Sequence, residues 1–157
     1  MTNWEPIIAA VTDALNGDKD SGRQQLTTCW DTTNDDDQAQ RCVIAHYLAD
    51  LQDDLAYEVA WDERALAAHP YVSNADLAPV GIADAAALAP SLHLNLGDGY
   101  LRQERFEDAE RQLQLGLARV HTLADDGYGQ LIRGGLDRLA ERLSARTAAA
   151  NPALGRD

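Results

Sequence analysis

Apolar residues recur along this chain at spacings of three and four, the period of a helix with one face turned inward. The pattern is clearest between Leu94 and Leu117. There Leu94, Leu96, Gly97, Tyr100 and Leu101 supply one inward side, and Phe106, Ala109, Leu113 and Leu117 a second. Small residues (Gly97, Ala109) alternate with large ones (Tyr100, Phe106), so two helices joined by a tight turn can approach closely. Upstream, Asn3 is placed to cap a helix that carries Pro6 in its first turn and Trp4, Ile7, Ile8, Val11 and Leu15 on one face, ending at Asn16-Gly17. A second helix from Asp20-Ser21, with Leu26, Cys29 and Trp30 inward, completes a first hairpin over residues 3–31.

A polar break with three consecutive aspartates, Asp35 to Asp37, precedes a second hairpin over 38–68. Shifted by 49 residues, this hairpin falls on the one already described: Leu48 meets Gly97, Leu51 meets Tyr100, Tyr57 meets Phe106 and Ala60 meets Ala109. Residues 69–90 hold Pro70, Pro79 and Pro90, and proline biases its predecessor away from helix. They form the connection, with one short helix expected near Ala83 to Leu88. Leu131, Ile132, Leu136, Leu139 and Leu143 then define a last amphipathic helix over 129–146 with Arg133, Asp137, Arg138, Glu141 and Arg142 on its polar face. Gly134-Gly135 inside it weakens the helix and marks close packing against a neighbour. Residues 148–157 lack periodicity and are expected to be a flexible tail. Strict alternation bounded by turns is nowhere sustained, so the chain is expected to be all-α, with six or seven helices in antiparallel hairpins forming one domain over 1–147.

The order Leu96-Gly97, Tyr100, Phe106, Ala109 resembles the tetratricopeptide repeat, a helix-turn-helix unit of about 34 residues. The resemblance covers 91–121 well, 38–68 in degenerate form, and nothing else. Glu104 stands where the family usually has a turn glycine, His93 where it has tryptophan and His121 where it has its closing proline. What the resemblance implies is a short right-handed solenoid whose first helices line a groove for a peptide or protein segment. By position that groove holds Ser91, Leu94, Asp98, Leu101 and Arg102, with Gln52 and Asp53 from the earlier repeat. One arginine and no lysine do not make the family's clamp for a terminal carboxylate.

Charge narrows the partners. The 157 residues carry a formal −13, with Lys19 the one lysine. No basic stripe exists to release counterions from nucleic acid or to meet an anionic membrane. With Asp53 and Asp98 set against Arg102, a groove ligand is expected to be basic or neutral, attracted over about a Debye length; acidity that serves only solubility is the other reading. Met1 to Asp20 carries acids and a proline where a signal peptide needs a basic start and an apolar run, so no targeting segment is expected. Cys29 and Cys42 fit neither a disulfide framework nor metal spacing, and a reducing cytoplasm suits them.

Few residues suggest chemistry. His46 and Asp50 lie four apart on one helix face, with Asp53 and Asp54 a turn further on. They read either as a base oriented by a carboxylate, or half a metal site, with Trp61 as a pocket wall, or as a plain surface pair. No phosphate loop, nucleophile elbow or zinc-protease motif is present. No cofactor and no metal are expected, and a non-catalytic protein-interaction module is the leading function. A small-molecule or metal-binding accessory protein built on His46 and Asp50 is the alternative, and an enzyme of unfamiliar type stands third. Short repeat arrays leave stacking faces at their ends, so the sequence also leaves open a homodimer.

Overall fold

The computed structural model describes residues 3–150, and among them it contains no strand. Eight α-helices follow one another: α1 (Trp4–Leu15), α2 (Lys19–Thr32), α3 (Gln38–Asp50), α4 (Leu55–Ala68), α5 (Asn74–Leu77), α6 (Ala89–Arg102), α7 (Phe106–Leu117) and α8 (Gly127–Ala150). The all-α expectation holds and neighbouring helices pack as hairpins. The count exceeds six or seven because the connection holds the one-turn α5, and the helix expected at 83–88 is a 3-10 turn, Ala85–Leu88. The chain divides into two compact units, residues 1–88 and 89–157, where the sequence suggested one domain over 1–147. Of the expected tail, 148–150 continue α8 and 151–157 lie outside the described residues.

In the first unit local sequence sets the helix ends. Asn3 Oδ1 accepts from the Glu5 amide, and Asp18 Oδ1 accepts from Ser21, so both α1 and α2 begin on a side-chain cap. Between them Gly17 takes φ 101°, a left-handed turn that glycine makes without steric penalty. α1 and α2 close on one another at Gly22, where a Cβ would lie 2.6 Å from that of Ala14. Asp54 caps α4 in the same way. The core joins Ile7 and Ala10 of α1, Leu26 and Cys29 of α2, and Val43, Ile44 and Leu48 of α3.

The proline-broken connection packs over this core instead of leaving it. Leu77 and Ala85 are buried in it, with Val72, Val80, Ile82 and Leu88 against its edge. Polar bonds hold the path: Ser73 and Asp76 form a reciprocal capping box, Asn74 Oδ1 accepts from the Ala85 amide at 2.7 Å, and the His69 ring meets the Ala85 carbonyl at 2.8 Å. The His69 contact ties the end of α4 to a carbonyl 16 residues along the chain.

In the second unit α6 and α7 form the antiparallel hairpin that the sequence marked out, and α8 packs on both. A Cβ on Gly97 would stand 2.8 Å from Leu139 of α8, and one on Gly135 would stand 2.6 Å from Leu94. Both glycines therefore mark close helix approach, as expected, whereas Gly134 faces only the far end of Arg138. Tyr100 is buried but Phe106 is not: it is 37% exposed, and the Arg146 guanidinium lies 5.0 Å from its ring. Its expected place in the core is corrected, because α7 starts at this residue and its first turn faces outward. Glu104, in the turn, is the one non-glycine residue with positive φ (61°) among the described residues. The resembled repeat carries its turn glycine at that position.

Candidate functional site

Tertiary packing sorts the residues proposed from sequence for a groove. Ser91 and Leu101 are buried, and Leu94 is pressed under Gly135 of α8, so no peptide can lie along all three. In the first unit Gln52 donates to the Leu48 carbonyl and Asp53 is fully exposed, 3.6 Å from Arg23. Asp98 and Arg102 remain at the surface, and α8 changes what they are. Arg102 Nε donates to Asp98 Oδ2 at 2.8 Å, and Arg142 Nη1, 44 residues later, donates to Oδ1 of the same carboxylate at 2.5 Å. One turn on, Arg146 Nη2 donates to Glu104 Oε1 at 2.9 Å.

These groups enclose a cleft of about 500 Å³ lined by Leu101, Arg102, Glu104, Arg142, Ala145 and Arg146. Its floor is aliphatic and its rim carries three guanidiniums against the carboxylates of Asp98 and Glu104. The sequence set Asp98 against a single Arg102; α8 adds Arg142 to Asp98 and Arg146 to Glu104. Sequence periodicity showed a polar stripe through Arg138 and Arg142; which helix it would face was not readable. Exposed ion pairs of this kind contribute about 0.2–1 kcal/mol each, so the carboxylates hold the arginines in place loosely enough for another anion to compete.

His46 and Asp50 share a face of α3 as the spacing required. Loss of hydration lowers the imidazole's affinity for a proton, which the nearby Asp50 charge partly restores. The Asp50 carboxyl is raised by the same loss of hydration and pulled back by His46. The imidazole Nδ1 is buried without a hydrogen-bond partner, and the ring meets that of Tyr47 edge-on at 5.3 Å. Among the described residues no three His, Cys, Asp or Glu side chains converge as a metal site would require. Trp61 meets Trp30 of α2 edge-on at 4.9 Å, with Arg64 4.3 Å above its own ring and Arg41 5.3 Å from that of Trp30. This interleaved stack ties α2, α3 and α4 together, and each cation–π contact is worth roughly 0.5–1 kcal/mol. It went unread in the sequence because its members sit on three helices.

A second cleft, of about 490 Å³, lies between the start of α1, the end of α2 and the turn before α3, with Asn3, Thr28, Cys29, Thr32, Asn34 and Asp37 among its walls. The Asp37 carboxylate is buried there and accepts from the Asn34 amide. Burial raises both thiols, Cys42 to about 12. No single helix among the described residues is long and apolar enough to cross a membrane. No protein-family model, no curated protein and no solved structure matches this chain.

Proposed function

We propose that this chain is a non-catalytic interaction module, similar in its α6–α7 hairpin to a tetratricopeptide repeat, that binds a segment of another protein in the cleft between α6 and α8. One observation carries the reading: an aliphatic floor and oriented guanidinium groups meet in an open cleft, and two of its residues, Leu101 and Arg102, are ones the sequence had placed in a groove. Aliphatic anchoring with polar contacts at the rim is the usual chemistry of a bound segment. The glycine-like backbone at Glu104 and the close packing at Gly97 support the local likeness to the repeat. Two free, buried thiols suit a reducing cytoplasm. A second copy is a further partner, for which Ile8 and Leu15, exposed on one face of α1, are the natural contact.

A photo-crosslinking residue in place of Ala145 tests the reading inside cells. Adducts at Ala145 that are missing when the same residue replaces exposed Leu115 on α7 are expected. Equal adducts at both positions, or none, refute it. The cleft with Cys29 and the buried Asp37 carboxylate favours a second reading, a small ligand. Ligand-dependent protection of the Cys29 thiol would support it.

A further inference from the structure

We infer that the segment bound between α6 and α8 is acidic, with an aliphatic residue beside its carboxylates; this rests on the interaction reading above. The acidity of the chain is not shared between its two units. Residues 1–88 carry four lysines and arginines against sixteen aspartates and glutamates, whereas 89–157 carry nine against ten. The second unit is therefore nearly neutral, and its cleft is locally cationic: Arg102, Arg142 and Arg146 against Asp98 and Glu104. Each arginine presents five N–H donors in a planar fork that matches a carboxylate. Arg142 and Arg146 are each about half exposed.

Their present partners act as internal stand-ins. Asp98 is shared by Arg102 and Arg142, and Glu104 is a mostly exposed residue with strained backbone at the cleft's edge. A ligand carboxylate would replace Glu104 on Arg146 or join Asp98 on Arg142 while its aliphatic neighbour covers Leu101 and Ala145. A basic segment would have to displace arginines from Asp98 and would meet their charge. Charge complementarity thus selects an acidic occupant.

The probes are fluorescein-labelled short peptides in which Leu or Ile is flanked by Glu, and a matched set flanked by Lys, followed by anisotropy on the full chain at about 50 and 200 mM salt. The acidic set should bind more tightly, lose about tenfold in affinity with Arg142→Gln plus Arg146→Gln, and gain affinity with Asp98→Asn, which releases guanidinium donors. The gain on removing a carboxylate is a sign that a merely structural role for these pairs does not produce. Tighter binding of the lysine set, weakened by Asp98→Asn, would keep the cleft as the site and overturn its acidic preference. Binding of neither set, or binding indifferent to all three substitutions, would remove the cleft reading itself. Inorganic phosphate displacing the acidic peptides at equal concentration would reduce the site to an anion site and overturn the segment. Self-association in sedimentation that disappears with Arg142→Gln would make the occupant a second copy and overturn a foreign partner.

Discussion

Three glycine-to-alanine substitutions, each inside a helix, separate backbone propensity from packing. Alanine in place of helical glycine gains about 1 kcal/mol of intrinsic propensity wherever it is made. What the new methyl meets differs. At Gly134 it finds only Arg138 Nη1 at 3.3 Å, the tip of a side chain that can swing away. At Gly97 it would lie 2.8 Å from the Leu139 Cδ2 methyl, itself buried but rotatable. At Gly22 it would lie 2.6 Å from Ala14 Cβ and 3.0 Å from Ala14 Cα, atoms that move only if α1 moves.

Overpacking costs about 1–3 kcal/mol, and most where relief needs backbone displacement. Gly134→Ala should therefore stabilise by roughly 0.5–1 kcal/mol, Gly97→Ala should be near neutral, and Gly22→Ala should destabilise by about 1–2 kcal/mol. Thermal denaturation followed by far-UV circular dichroism reads all three, at roughly 2–4 °C per kcal/mol for a chain of this length. Trp4, Trp30 and Trp61 all lie within 1–88, so tryptophan fluorescence reads the Gly22 effect separately. If Gly22→Ala melts with or above Gly134→Ala, the close approach of α1 and α2 described above is wrong.

Other consequences are as direct. Glu104→Gly relieves a left-handed residue at the loss of an exposed ion pair and some unfolded-chain entropy; urea titration should show a net gain of about 0.5–1 kcal/mol, and a loss would refute the strain. Phe106→Ala should cost only about 1 kcal/mol, against about 2–5 for buried Leu139→Ala, so equal losses in the same titration would return Phe106 to the core. His46 is held below its ordinary 6.5 by burial, so it adds stability above that pH that is lost as pH falls and the unfolded chain takes up its proton first. Asp50, raised above 3.8, runs the other way, its contribution being lost as pH rises through its folded value. His46→Gln should flatten the fall in stability between about pH 7 and 5.5, and an unchanged slope there would mean the imidazole is hydrated. Both thiols should resist Ellman's reagent in the folded chain, Cys29 reacting first because it lines a cleft; prompt reaction of Cys42 would contradict its burial.

The sequence by itself determined the helices and most of their ends. Period, caps such as Asn3 and Asp54, and turn residues such as Gly17 act within a few residues of one another, so they are written locally. It also determined the pairing of α6 with α7, whereas the closest neighbour of Gly97, Leu139, comes from α8. Only the tertiary structure decided what α8 lies against. Its arginines looked like a solvated polar face; packed on α6, Arg142 and Arg146 reach Asp98 and Glu104 from more than 40 residues away. The edge-on contact of Trp61 with Trp30 is likewise a product of helix packing, across 31 residues of sequence. Helix formation is local and legible from spacing; the sign of a site depends on which faces meet, and that is fixed by packing across long sequence separations.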